Sequence, residues 1–214
     1  MKFRNTRFYQ FLFKYLIIWH KYFEVRRSKF GYCAKSTRYV FPLTILGLEN
    51  VFLYENTIIA SNTMIQATRA KFIMKKNSYA AEGLTVITGS HMSKVGSWFK
   101  STIKSEPKLG YHEDVIIEED VSIGINVTIL KGVKIGRGAI IGSGSVCRKS
   151  IPPYAIVMGN PAKIVGFKFR PDEVIEHERE LYIESERLSK EYIENNYEKY
   201  FLKNISTIKE FIKI

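Results

Sequence analysis

The chain has 214 residues, 45% of them hydrophobic and 25% charged, which excludes a disordered tail or a collagen-like fibre. Lys+Arg number 33 against 21 Asp+Glu, and the net charge of +12 invites an anionic partner: nucleic acid, a membrane surface or a phosphorylated cofactor. Two cysteines, Cys33 and Cys147, exclude a disulfide framework and make a reducing, cytoplasmic setting the expectation.

Residues 1–30 hold Lys2, Arg4, Arg7, Lys14, Lys21, Arg26, Arg27 and Lys29 against Glu24 alone, seven of the net +12. Phe8, Leu12, Tyr15, Ile18/Trp19 and Tyr22 recur among them at helical spacing. The apolar run Phe11 to Trp19 is interrupted by Lys14 and falls far short of the roughly 20 residues of a membrane span. No small-residue cleavage site follows it, so a signal peptide is not expected. Two readings stay open. The segment either lies in an anionic bilayer interface as a peripheral contact at the inner membrane face, or caps the main domain with the same stripe. Nucleic acid is not expected, because no recognised binding module surrounds the patch.

From residue 117 the sequence divides into sixes: IEEDVS, IGINVT, ILKGVK, IGRGAI, IGSGSV, CRKSIP. First places read Ile117, Ile123, Ile129, Ile135, Ile141 and Cys147; fifth places read Val121, Val127, Val133, Ala139, Ser145 and Ile151. Gly124, Gly136 and Gly142 occupy second places, where glycine is expected to relieve unusual dihedrals at a turn. An apolar position returning only every sixth residue is neither helix nor simple alternation. Short strands joined by sharp turns satisfy it, three to a coil, with coils stacked at about 4.8 Å and the isoleucines inside. Upstream the ruler is looser: Leu53, Ile59 and Ile65 keep the step, with Thr57 and Thr63 in fifth place. After a phase slip Met74, Ala80 and Val86 resume it, with Ser78, Leu84 and Ser90 in fifth place.

These repeats resemble those of the hexapeptide-repeat acyltransferases over roughly residues 45–168. The closing stretch Pro152-Pro153 and Gly159-Asn160-Pro161-Ala162-Lys163 is similar to that family's exit segment. The likeness implies a mainly β fold, a left-handed parallel β-helix, and a homotrimer with active sites between neighbouring prisms. It divides the chain into a basic, aromatic helical segment (1–44), the β-helix (45–168) with a loop at 88–115, and a helical tail (169–214). Within the superfamily the sequence looks most like the xenobiotic, maltose-type and cell-surface-sugar O-acetyltransferases. Gly89-Ser90-His91-Met92 resembles their catalytic-histidine segment, while Ser122 stands where related enzymes often carry a tryptophan.

Acyl transfer from a thioester to a hydroxyl needs a base, and neutral imidazole suits that role. The resemblance assigns it to His91, with Glu82 of the preceding coil orienting the acceptor or the ring. Of the other histidines, His112 lies at the far end of the loop beside Glu113 and Asp114, where a solvated loop residue is expected ahead of a place lining the acceptor site, and His20 and His177 fit helices without a site role. Acetyl-CoA is the implied cosubstrate, and its phosphates call for backbone N–H groups, glycine and cations. Gly124, Gly142, Ser145, Arg148, Lys149, Asn160, Pro161 and Lys163 are the residues expected to line its groove. No metal is expected: a zinc hydratase on the same solenoid needs three histidine ligands, and only His91 and His112 fall in the right region. The expected acceptor is a sugar of a cell-surface polysaccharide or its precursor. An amino sugar acetylated on nitrogen, an antibiotic hydroxyl and a non-catalytic interaction solenoid remain alternatives. In the tail, Val174, Leu181, Leu188, Tyr192 and Ile193 form a narrow stripe on a charged helix that breaks near Ser189.

Overall fold

The computed structural model describes residues 25–105 and 110–212, together with Arg7, Phe11, Leu12, Tyr15 and Leu16. Phe8, Ile18, Trp19, His20 and Tyr22 of the N-terminal stripe lie outside the described residues. The body is a β-helix of about six turns with three flat faces. The first face stacks β1 (Tyr32–Cys33), β4 (Val51–Leu53), β7 (Phe72–Met74), β12 (Val115–Ile117) and β15 (Lys134–Ile135). The second stacks β2 (Arg38–Tyr39), β5 (Ile58–Ile59), β8 (Tyr79–Ala80), β13 (Ser122–Ile123), β16 (Ile140–Ile141) and β18 (Ala155–Met158). The third stacks β3 (Leu43–Leu46), β6 (Thr63–Gln66), β9 (Thr85–Ile87), β14 (Thr128–Ile129) and β17 (Val146–Cys147).

Pairing along every face is parallel, and the register puts first place on first place three blocks on. Ile117 pairs with Ile135, Ile123 with Ile141 and Ile129 with Cys147. Those six side chains are at most 1% exposed, so the isoleucine column is the core. Val121, Val127, Val133, Ala139 and Ser145 are buried beside it, as expected of the fifth place.

The second-place glycines do a different job from the one expected of them. Positive φ falls instead on the fourth place: Asp120, Asn126, Gly132, Gly138 and Gly144. Asp and Asn tolerate that left-handed conformation through their short polar side chains, which is why the fourth place hides in a search for glycine. Second-place glycine answers to close approach of the next coil. A Cβ on Gly124 would stand 2.7 Å from the Ser143 nitrogen, and one on Gly136 2.5 Å from the Pro153 nitrogen.

The solenoid begins one coil before residue 45. Tyr32 and Cys33 pair with Phe52 and Leu53, and Arg38 and Tyr39 with Ile58 and Ile59. The phase slip between Ile65 and Met74 is an enlarged corner, Ala67 to Lys71, between β6 and β7. Ser90, read as a fifth place, lies outside the coil on an exposed strand; the chain leaves the prism at the buried Thr88.

After β18 the chain turns back as β19 (Lys163–Phe167), antiparallel, which ends the parallel stacking. Beyond the loop helix α1 (Phe99–Ser105), the tail holds α2 (Pro171–Leu181), α3 (Lys190–Tyr200) and α4 (Ile205–Ile212). The tail helix breaks as expected, with Ser189 capping α3 by accepting from the Tyr192 N–H at 3.2 Å. Val174 and Ile193 pack on Tyr154, whereas Leu181 and Tyr192 of the supposed stripe are exposed at 59% and 46%. The Glu178 carboxylate fastens the tail to the prism. It accepts from the Tyr154 hydroxyl at 2.6 Å, Arg137 Nη1 at 2.9 Å and the Leu188 N–H at 3.2 Å. Burial and the bond to Glu178 push the Tyr154 hydroxyl far above the ordinary phenol range.

Candidate active site

Three corners join the faces, and each carries a different chemistry. The first-to-second corner is a structural ion network. There Lys75 and Lys134 reach Glu118 at 2.6 and 2.9 Å, and Arg137 Nε meets Glu119 at 3.2 Å. Burial pushes the Glu118 carboxyl up, but hydrogen bonds from Lys75 and Lys134 outweigh it and hold the group below the usual carboxylate range.

The third-to-first corner carries the loop. It leaves after β9 as β10 (Gly89–His91), passes through α1 and returns as β11 (Gly110–His112), antiparallel to β10, before β12 rejoins the first face. Pairing is Gly89 with His112 and His91 with Gly110. Residues two apart on a strand share a face, so both imidazoles project from one side of the hairpin. Each faces a glycine across the ladder, and the His112 ring fills the space a Gly89 side chain would need. His91 is exposed, with the Phe99 ring edge-on at 6.3 Å. Arg69, from the enlarged corner one rung away, places Nη1 3.4 Å from His112 Nε2.

Of the residues expected in the site, Arg148 and Lys149 lie exposed at this same corner, two rungs from the loop. At ordinary strand spacing that is about 10 Å along the prism. Glu82, Gly124, Gly142 and Ser145 occupy the second-to-third corner instead, and Asn160 and Pro161 extend that corner beyond β18. Within one chain the structure therefore does not bring Glu82 to His91; its carboxylate accepts from the Ser61 hydroxyl at 3.1 Å. Ser145 is fully buried, donating to the Gly142 carbonyl at 2.6 Å and accepting from the Gly159 N–H at 3.2 Å, a role within the coil. Lys163 opens β19 with Nζ 5.0 Å from the centre of the Phe211 ring. With Lys149, Tyr200, Asn204 and Phe211 it lines a groove of about 470 Å³ between the last coil and the tail. Sequence reasoning passed over Arg69; the three-residue excess in the step from Ile65 to Met74 was the signal that its corner is enlarged.

Within this three-faced coil, residues 114–149 match the family model for the bacterial transferase hexapeptide (six repeats). In fold and repeat pattern the chain is similar to hexapeptide-repeat acetyltransferases of known structure. A maltose O-acetyltransferase from Clostridium difficile 630 is 26% identical, over 64% of this chain and 70% of that one, with a TM-score of 0.58. A hexapeptide-repeat acetyltransferase from Vibrio cholerae O1 biovar eltor, complexed with acetyl coenzyme A, shares the fold at 22% identity. That match spans 69% of this chain and 76% of that one, with a TM-score of 0.59. The N-acyltransferase AntD from Bacillus cereus, in complex with dTDP and 3-hydroxybutyryl-CoA, shares it at 18% identity, 74% and 93% coverage and a TM-score of 0.53. No curated protein sequence matches the chain.

Proposed function

We propose that this protein is an acetyl-CoA-dependent O-acetyltransferase acting on a sugar hydroxyl in cell-surface polysaccharide synthesis, with His91 as general base. The observation that carries the reading is the hairpin. It holds an exposed imidazole on an antiparallel ladder at the corner where Arg148 and Lys149 stand two rungs away. The acceptor oxygen attacks the thioester carbonyl as His91 takes its proton. The carbon–sulfur bond then breaks, and the coenzyme A thiolate leaves and collects that proton. Arg148 and Lys149 suit the phosphates of the cosubstrate. The chain's own corners separate His91 from Glu82, Gly124, Gly142 and Asn160, which supports a site completed by a neighbouring copy in a homotrimer. The likeness to a maltose O-acetyltransferase favours a hydroxyl acceptor.

The test is free-thiol release from acetyl-CoA with a panel of sugars, followed by mass spectrometry of the product. An ester on oxygen is the expected product; an amide on nitrogen would transfer the reading to amino sugars.

The basic N-terminus adds a location to this reading. Phe11, Leu12, Tyr15 and Leu16 are helical and 47–58% exposed, with the Phe11 and Tyr15 rings 4.5 Å apart. An aromatic face among cations suits an anionic bilayer interface. The protein is expected to sediment with phosphatidylglycerol vesicles, not with phosphatidylcholine vesicles, and to be released at about 1 M salt. Equal partition to both would favour the capping role for residues 1–30.

A further inference from the structure

We infer that the acceptor is anionic, its carboxylate or phosphate held by Arg69 beside His112 while its reacting hydroxyl meets His91. The inference rests on the acetyl-transfer reading of His91 and adds the substrate class. Three observations carry it.

The first is the hairpin register. His112 lies across from Gly89 and His91 across from Gly110, so the two imidazoles are diagonal neighbours on one face. In an ordinary ladder such positions are roughly 7–8 Å apart, a span within reach of the substituents of a single sugar ring. The glycine opposite each histidine keeps that face low.

The second is the Arg69–His112 contact. Arginine only donates hydrogen bonds, so in this contact at 3.4 Å His112 Nε2 can take only the acceptor's part toward Arg69 Nη1. Arg69 is itself exposed, and a guanidinium has five N–H donors in a planar fork. One contact to an imidazole leaves others to receive a carboxylate or phosphate.

The third is the charge of the corner. Lys94, Lys100, Lys104 and Lys108 of the loop stand against Glu106, Glu113 and Asp114, a balance of +1. Glu113 and Asp114 are engaged elsewhere. Glu113 pairs with Lys131 at 2.7 Å, and Asp114 accepts from the Lys71 N–H at 2.7 Å. With Arg69 one rung away, the loop and its neighbouring corner carry a positive balance, which favours an anion over a neutral sugar.

The experiment compares glucose, glucuronic acid and glucose 1-phosphate as acceptors in thiol release, using the full chain and its Arg69→Gln and Arg69→Lys variants. At least one anionic sugar is expected to exceed glucose about tenfold in kcat/KM at low salt. Arg69→Gln should erase that preference through KM with kcat little changed, and Arg69→Lys should restore part of it. Whichever of the two anionic sugars shows the preference identifies carboxylate or phosphate as the recognised group. In parallel, the His112 ring signals are followed by NMR during titration with each sugar. A shift with the anionic sugars that is lost in Arg69→Gln supports the subsite, even if no acceptor is turned over; that outcome would count against acetyl transfer alone. Turnover of glucose equal to both anionic sugars, or a preference surviving Arg69→Gln, overturns the inference and leaves acetyl transfer standing.

Discussion

His91→Ala should lower acetyl transfer about a thousandfold in kcat while leaving the affinity for acetyl-CoA close to that of the parent chain. A positioned general base contributes roughly a hundred- to ten-thousandfold, and no other group on the hairpin face replaces it at the same place. The loss cannot be blamed on unfolding. His91 is exposed, its ring contact is edge-on to Phe99 at 6.3 Å, and β10 keeps its ladder to β11 through main-chain bonds. Thermal stability should therefore stay within about 0.5 kcal/mol of the parent, as for surface substitutions generally. The measurement is steady-state thiol release paired with a melting curve and equilibrium binding of acetyl-CoA. If His91→Ala keeps its turnover, the second imidazole on that face is the next candidate. His112→Ala then decides between a displaced base and a mechanism that uses neither ring.

The sixfold ruler made most of this architecture readable in advance, because one apolar residue per face must point into so narrow a prism. Ile117 to Cys147 therefore announce both the faces and the core. The first coil was harder to see. Its inward positions Cys33, Tyr39 and Ile45 keep the six-residue step, but a cysteine and a tyrosine stand where the ruler is read from aliphatics, and pairing to β4 and β5 defines the coil instead. The candidate site was legible only in part, for a geometric reason. A six-residue period fixes the corner on which a residue sits, but not which corners of separate copies meet. His91 was visible as a break in the ruler. Glu82 and Gly142, close to it or to its repeats in sequence, proved to be one corner away. Arg69 was invisible as chemistry, since a lone arginine at a turn looks like solvated charge until the hairpin sets His112 beside it.

Gly136 in a second place of the ruler and Gly144 in a fourth should respond to alanine by different mechanisms and to different degrees. Gly136→Ala would put a Cβ 2.5 Å from the Pro153 nitrogen and 2.8 Å from the Pro152 carbonyl carbon, both of them backbone atoms. Neither can swing aside as a side chain would, and Gly136 is itself buried where the last coil closes over Ile151. Overpacking of a rigid site costs about 1–3 kcal/mol, and a backbone collision belongs at the upper end. At Gly144 the added methyl meets nothing within 4 Å, and the cost is the left-handed φ of +72° alone, about 1–2 kcal/mol. Gly144→Asn should recover much of that loss, because Asn126 already adopts the same conformation one turn of the repeat earlier with φ of +56°. No such rescue exists at Gly136, where any side chain meets the same two prolines. Denaturant unfolding of four variants, alanine and asparagine at each of the two glycines, measures the contrast. Equal losses at both glycines, or recovery by asparagine at Gly136, would mean that dihedral strain and not the spacing of coils governs the second place of the repeat.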